Sequence, residues 1–161
     1  MKRVTPLGGM RLAACDEGLV GLWFDGAAHA PDAHGWREVS GQHWLDQAGA
    51  EVAAYFADDL RVFTTPRVAL WGTDFQRRIW EALATLPFGV STTYGALAVA
   101  AGSPLAVRAV GAAVGRNPWS IVVPCHRVLG AQGRLTGYAG GLDRKHALLV
   151  REGIVADILA R

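Results

Sequence analysis

Apolar and polar positions in the first part of the chain predict a small mixed α and β unit. Two apolar-rich segments, residues 10–15 and 19–24, flank the turn sequence Asp16-Glu17-Gly18 and predict a β-hairpin. Apolar residues then recur at helical spacing from Gln42 to about Ala57, which predicts a helix. Another extended stretch is expected around residues 61–70. Together these patterns indicate an α+β arrangement.

The pattern changes to a helical one after Gly72. Thr73 and Gln76 have the spacing of a capping box and predict a helix start, and the helix ends at Pro87-Phe88-Gly89. A second short helix is predicted over residues 93–101. A last helix is predicted from Leu142 to about Gly153, after a glycine-rich hairpin or loop over residues 130–141.

A third helix is predicted to begin at Ser103-Pro104, because serine caps helices and proline is tolerated at the first helical position. Together with the helix before it, this helix resembles a helix-turn-helix. Gly111 and Ala112 give it a smooth surface, and Arg108 is its one long exception. Such a surface suits either close approach to another molecule or packing within the core.

Composition indicates a folded protein without a membrane span. The 161 residues are 51% hydrophobic and 19% charged, and the apolar runs are far shorter than the roughly 18 residues a bilayer requires. Only two cysteines occur, so no disulfide framework is expected, and a cytoplasmic location is predicted. The histidines match no metal-ligand spacing, so no metal site is expected; those considered were His29, His34 and His43.

Charge is unevenly distributed along the chain. Residues 1–72 carry six basic and nine acidic residues, a net −3, whereas residues 73–161 carry ten basic and five acidic residues, a net +5. A basic second half indicates a polyanionic partner, although basic solvated faces are common.

The sequence Pro124-Cys125-His126-Arg127 is the candidate chemical site. A thiolate is the reactive form of cysteine, and histidine is the side chain best suited to take its proton near neutral pH. Adjacent side chains point to opposite faces of an extended strand, so cooperation requires a bridging water or a sharp turn, which Pro124 favours. An inert cysteine buried at a strand end is the alternative reading.

The segment from Asn117 to Val128 closely resembles the signature of the O6-alkylguanine-DNA alkyltransferases, also called methylated-DNA–protein-cysteine methyltransferases. Further segments match the same family in the same order and together cover about residues 70–153. These are Phe75–Trp80, Pro87–Gly89, Thr93–Gly95, Arg108–Gly111, Leu135–Gly141 and Leu148–Gly153.

The resemblance implies a role for each matching side chain in the transfer. Cys125 would accept the alkyl group, His126 would act as a base through a water molecule, and Glu152 would orient His126. Asn117 would hold the turn before the cysteine, and Tyr94 would donate a hydrogen bond to the guanine.

The same resemblance implies how DNA is bound. The base is rotated out of the duplex, Arg108 fills the vacated place, and Gly111 and Ala112 allow close approach in the minor groove. Tyr94 and Arg127 are also expected to contact DNA. The base pocket is expected to be lined by Tyr138, Ala139, Gly140 and Val128.

The implied fold is α+β, with an RNase H-like subdomain over residues 1–72 followed by a winged-helix-like subdomain over residues 73–161. The implied function is DNA repair by single-turnover transfer of an alkyl group from O6 of guanine to the protein's own cysteine, with O4 of thymine left open as a second substrate position. No metal or cofactor is needed, and the protein is expected to act as a monomer on double-stranded DNA. Two alternatives are a protein that binds damaged guanine without repairing it and a cysteine hydrolase that turns over.

Overall fold

The chain begins with a three-stranded antiparallel sheet, seen in a computed structural model that describes residues 1–154. Its strands β1 (Lys2–Thr5), β2 (Gly8–Cys15) and β3 (Gly18–Phe24) lie in the order β1-β2-β3. The predicted hairpin is therefore confirmed. Strand β1 was not predicted, because four residues are too short a segment to show an alternating pattern.

Helix α1 (His43–Phe56) packs against this sheet, as the apolar stripe predicts. The segment around residues 61–70 forms no strand, which corrects the prediction made from its sequence. Its contact with the sheet is one parallel bridge between Leu19 and Arg67. Pro66 has no N–H to donate, so this segment cannot supply a full ladder.

Three helices follow and pack against one another: α2 (Asp74–Ala84), α3 (Tyr94–Ala100) and α4 (Val107–Gly115). The capping box of α2 is present, with the amide of Gln76 donating to Thr73 Oγ1 over 3.1 Å and the amide of Thr73 donating to Gln76 Oε1 over 3.0 Å.

The predicted start of the third helix is wrong. Helix α4 begins at Val107 rather than at Ser103-Pro104, and its N-cap residue Ala106 makes no side-chain capping bond. The amide of Ala106 donates to the carbonyl of Ser103 over 2.9 Å, so the segment forms a separate turn.

A mostly irregular segment connects α4 to the last helix, α5 (Leu142–Arg151). It contains two short 3₁₀ turns, Cys125–Arg127 and Ala131–Gly133, and strand β5 (Val128–Leu129), which pairs in parallel with β4 (Thr92–Thr93). Cys125 therefore lies on a one-turn helix and not at a strand end. Helix α5 packs against this turn.

One buried apolar cluster extends from the sheet to the helices, so the sheet and α1 support the elements that carry the candidate site. The mixed α and β composition expected from the sequence is confirmed. Among residues 1–154, none of the helices has the length and apolar character needed to span a membrane. The large side chains buried most completely include Trp80, Tyr55, Phe24, Met10, Leu22, Ile79, Leu83 and Ile121.

Candidate active site

Asn117 organises the segment that leads to the candidate cysteine. Its Nδ2 donates to the carbonyls of Trp119 over 3.2 Å and Val123 over 2.8 Å, and its Oδ1 accepts from the amide of Trp119 over 3.0 Å. The side chain thus closes the loop before Cys125. Within that loop, Ile121 is buried with a φ of 70°, a conformation that a β-branched residue adopts only under strain.

Cys125 is 5% exposed and lies in the wall of a cavity of about 260 Å³. The cavity is bounded by the start of α3, the small-residue face of α4, the loop before α5, and two residues of the loop after β3. Its lining consists of Ala28, His29, Tyr94, Gly111, Val114, Gly115, Cys125, Gly137, Tyr138 and Ala139.

His126 follows Cys125 on the same 3₁₀ turn and is completely buried. Its Nε2 lies 2.8 Å from Oε1 of Glu152. Since a carboxylate can only accept, Nε2 carries the proton when Glu152 is ionised, and Nδ1 holds the lone pair. Nδ1 is buried and has no hydrogen-bond partner within residues 1–154.

Glu152 is the hydrogen-bond centre of this group. Its carboxylate accepts from Nε of Arg127 over 2.6 Å, from Nη2 of Arg127 over 2.9 Å and from the hydroxyl of Tyr55 over 2.8 Å. The Arg127 guanidinium also donates to the carbonyl of Leu86 over 2.6 Å.

The prediction that Arg127 contacts DNA is therefore wrong. Its side chain is buried and its donors are engaged by Glu152 and by the backbone of Leu86. A bidentate bond between arginine and a carboxylate fixes both planes, so Arg127 acts inside the protein as the partner that holds Glu152.

Burial and charge set the ionisation of the group. Burial raises the pKa of the Cys125 thiol, whereas the Asn117 side chain first, and then the Lys145 ammonium, act in the opposite sense. Burial lowers the pKa of His126 more than Glu152 raises it, so the imidazole is neutral near pH 7. Burial would raise the pKa of Glu152, but hydrogen bonds from His126 and Arg127 outweigh it and lower the value to about 2. The resting group is thus a protonated thiol, a neutral imidazole and a carboxylate.

Two tyrosines line the cavity and remain protonated. Burial raises the pKa of Tyr94, which is the first residue of α3, and burial also raises the pKa of Tyr138. The Tyr138 hydroxyl is buried and has no hydrogen-bond partner among the described residues. Both phenols can therefore serve as hydrogen-bond donors to a ligand.

Two of the predicted pocket residues do not line the cavity. Val128 is fully buried in β5, and Gly140 lies beneath Tyr138, where an added Cβ would stand 2.7 Å from the tyrosine ring. Gly140 thus allows the ring of Tyr138 to take its position, which is an indirect contribution. Tyr138 and Ala139 do line the cavity, as predicted.

Helix α4 presents the predicted DNA-binding residues beside the cavity. Arg108 and Ala112 are exposed and Gly111 is half-buried. Arg108 borders a surface groove of about 500 Å³, and Tyr94 and Gly111 line both this groove and the cavity that contains Cys125. The groove on the exposed face of α4 therefore adjoins the cavity at Tyr94 and Gly111.

Sequence analysis missed several residues that complete this region. The apolar pattern places Tyr55 only within the helix predicted from Gln42 to about Ala57, His29 was considered only as a metal ligand, and Ala28 was given no role at the site. Lys145, whose pKa burial lowers to about 8, lies in α5 among charged neighbours that suggest a solvated surface. No local motif marks any of them, since each reaches the site through tertiary packing. Residues 1–154 contain no group of three or more His, Cys, Asp and Glu arranged to hold a metal ion.

Comparison with known proteins gives one consistent family. Residues 74–154 match the model of the 6-O-methylguanine DNA methyltransferase, DNA binding domain. A methylated-DNA–protein-cysteine methyltransferase of Mycolicibacterium paratuberculosis is 46% identical over 148 residues, which are 92% of this chain and 88% of the relative. One of Methanosarcina acetivorans is 44% identical, covering 92% and 94%.

A solved structure agrees in fold as well as in sequence. The crystal structure of Mycobacterium tuberculosis OGT in complex with DNA superposes with a TM-score of 0.89 at 42% identity, covering 94% of this chain and 91% of that one. The match extends well beyond residues 74–154 and includes the sheet and α1. The chain belongs to the methylated-DNA–protein-cysteine methyltransferases, which repair DNA by alkyl transfer to a cysteine of their own.

Proposed function

We propose that Cys125 is the alkyl acceptor and that the substrate is O6-alkylguanine in double-stranded DNA. The observation that carries this proposal is the geometry of one turn: a buried thiol in the wall of a cavity, followed by a neutral histidine whose other nitrogen is fixed by an ionised carboxylate. This arrangement supplies a nucleophile, a base and an orienting group, which is the pattern of nucleophilic catalysis.

The transfer is a displacement at the alkyl carbon. The thiol proton passes through a water molecule to Nδ1 of His126, the sulfur of Cys125 forms the new bond to carbon, and the bond from carbon to O6 breaks. The resulting charge on His126 is stabilised by Glu152. Tyr94 donates a hydrogen bond to the guanine, which leaves with O6 as a carbonyl. The proton taken up by His126 then passes through water to the guanine, so that the guanine exchanges its alkyl group for that proton and His126 returns to its neutral form. No metal or cofactor enters this balance.

The reaction occurs once per chain. The product is a thioether, which water does not hydrolyse at neutral pH, so nothing in the group regenerates the thiol. Asn117 contributes by holding the loop that places Cys125, through bonds at both ends of that loop.

Access to O6 requires the guanine to leave the base stack, at a cost of a few kcal/mol that is smaller for a mispaired base. We propose that α4 enters the minor groove, that Arg108 occupies the vacated place, and that Gly111 and Ala112 allow this approach. Support comes from the exposure of Arg108 and from its groove, which shares Tyr94 and Gly111 with the cavity. Tyr138 and Ala139 would then contact the flipped base.

Finer aspects of the organisation stay predictions. Residues 1–72 are proposed to form an RNase H-like subdomain, for which the antiparallel sheet with α1 against it is the support. Residues 73–161 are proposed to form a winged-helix-like subdomain, supported by the packing of α2, α3 and α4 beside the β4–β5 pair; of these residues, 155–161 lie outside the described part. A cytoplasmic monomer and activity on O4 of thymine also stay predictions.

Substitution of Cys125 distinguishes a loss of alkyl transfer from a loss of DNA binding. Cys125→Ala should abolish transfer from a duplex containing O6-methylguanine and leave affinity for that duplex within about twofold, because the thiol contributes no charge to the DNA contact. Cys15→Ala, which alters the half-buried second cysteine, is the matched control and should retain transfer. Binding is measured by fluorescence anisotropy and transfer by release of guanine. Loss of binding together with transfer would assign Cys125 a structural role instead.

A further inference from the structure

Lys145 is a fully buried lysine next to the candidate site. Its Nζ donates to the backbone carbonyls of Val128 over 2.6 Å, Thr136 over 2.7 Å and Gly137 over 3.1 Å. Val128 directly follows the turn that carries Cys125, and Gly137 lines the cavity. One ammonium group therefore ties the segment after Cys125 to the loop that lines the cavity at Gly137.

The charge of this ammonium lacks a balancing carboxylate. Within residues 1–154, Lys145 takes part in none of the ion pairs, whereas buried charges in proteins are generally paired. Its Nζ lies 5.9 Å from the centroid of the Tyr94 ring, which lines the cavity with Cys125. Burial lowers the pKa of Lys145 to about 8, and charge on Cys125 raises it.

Among the other titratable groups near Cys125, His29 of the cavity lining is exposed to solvent, and the buried ones supply no unbalanced positive charge. Tyr94 from α3 and Tyr138 from the loop before α5 are neutral, because burial raises their pKa values. His126 on the same turn is neutral, because burial lowers its pKa. Arg127 on that turn is balanced by Glu152 at the end of α5. Lys145 therefore differs from Arg127, which Glu152 balances. The buried ammonium of Lys145 gains a counter-ion only when the Cys125 thiol loses its proton.

We propose that Lys145 is a positioning residue for the transfer: its fixed ammonium favours the thiolate of Cys125, and its three carbonyl bonds hold the cavity wall at Gly137 in place. The proposal rests on Cys125 being the acceptor. Helix α5 and its C-cap residue would then contribute to the same reaction in two ways. Glu152 orients His126, and Lys145 stabilises the thiolate of Cys125.

The test is the pH dependence of Cys125 alkylation by iodoacetamide, followed by peptide mass spectrometry in the full chain without DNA. Lys145→Met should move the midpoint upward by about one pH unit or more, which is about a tenfold lower rate at a fixed pH below it. Lys145→Arg, which keeps the charge, should restore most of the difference. Lys2→Met, a change at an exposed lysine, should leave the midpoint unchanged.

A second measurement requires no substitution of Lys145. Titration of the lysine side chains by carbon NMR should show that Lys145 loses its proton at lower pH in Cys125→Ser than in the natural chain, because the thiolate is no longer present to stabilise the ammonium. An unchanged Cys125 midpoint in a folded Lys145→Met variant overturns the proposal, and so does a Lys145 titration that Cys125→Ser leaves unaltered. Failure of the natural chain to take a methyl group from DNA would instead count against Cys125 as acceptor.

Discussion

The Glu152 carboxylate accepts hydrogen bonds from three side chains of the candidate site, those of His126, Arg127 and Tyr55. Each of these bonds is buried, where hydrogen bonds to a charged acceptor are at their strongest. The orientation of His126 and the balance of the Arg127 charge therefore depend on the same carboxylate. A change at this residue should affect stability and transfer together.

Glu152→Gln should lower the free energy of unfolding by about 3–5 kcal/mol, because it leaves the buried Arg127 without a counter-ion. Transfer by the folded fraction should also fall, because the imidazolium of His126 loses its stabilising charge. Chemical denaturation and single-turnover transfer measure the two effects. Glu81→Gln is the matched control: the Glu81 side chain is 73% exposed, its partner Arg67 is 3.6 Å away, and its change should cost about 0–1 kcal/mol.

The pH dependence of the free energy of unfolding tests whether Glu152 is ionised in the folded chain. The pKa of Glu152 in the folded chain is lowered from 4.5 to about 2, so its contribution is complete above the unfolded value and is lost as the pH falls through this interval. The difference in stability between the natural chain and Glu152→Gln should therefore shrink between about pH 4.5 and pH 2. A difference that stays constant across that interval would contradict the ionised state assigned to Glu152.

The sequence predicts the residues of the candidate site better than it predicts their hydrogen-bond partners. Cys125, His126 and Glu152 match motifs of the family, whereas Arg127 was expected to contact DNA. Its actual partner is 25 residues further along the chain and reaches it only when α5 packs against the acceptor turn. Lys145 was missed for a similar reason, since charged neighbours in sequence conceal a buried position.

The starts of α2 and α4 can be compared directly, because the predicted start of α2 is confirmed and that of α4 is wrong. Thr73→Ala should lower the free energy of unfolding by about 1 kcal/mol, because Thr73 caps α2 through a bond of 3.1 Å. Ser103→Ala should cost less than about 0.5 kcal/mol, since Ser103 precedes α4 by four residues and makes no side-chain capping bond to it. Thermal and chemical denaturation of both variants measure the difference. Equal losses of unfolding free energy in the two variants would indicate that Ser103 does cap a helix.

Helix α4 is the element proposed to open the duplex. Arg108→Ala should reduce transfer from duplex DNA by about tenfold or more, because the vacated base position is no longer filled and flipping costs a few kcal/mol. Transfer from free O6-benzylguanine, which needs no flipping, should change by less than about twofold. Arg116→Ala, a change at an exposed arginine at the other end of α4, is the matched control. Equal losses with duplex and free base would exclude the proposed role of Arg108.

Among elements, those with long periodic patterns were predicted and those fixed by tertiary contacts were not. The helices α1, α2 and α5 follow from apolar stripes and caps. The acceptor turn was left open between a strand end and a sharp turn, because the apolar residues Ile121, Val122 and Val123 are typical of a strand. The side chain of Asn117 stabilises the turn, because it hydrogen-bonds to the backbone at both ends of the loop. No local sequence pattern reveals that contact.

The whole molecule links its two halves at the site. Tyr55 of α1 donates to Glu152, and the amide of Ala28 donates to the carbonyl of Ala139 over 2.8 Å. Ala28 and His29 also line the cavity, although no local pattern in the first half of the sequence indicates a part in the site. Such contacts join residues about 100 positions apart, so they depend on the complete fold and could not be predicted from local sequence patterns.

The stoichiometry of transfer tests the central claim most directly. The protein is incubated with an excess of duplex DNA carrying O6-methylguanine with a radiolabelled methyl group, and the label is then followed in protein, DNA and solvent. The account predicts that label appears in the protein, that it maps to Cys125, and that it saturates at about one methyl group per chain. Label that remains in DNA despite tight binding, or that is released to solvent over many turnovers, would contradict the account.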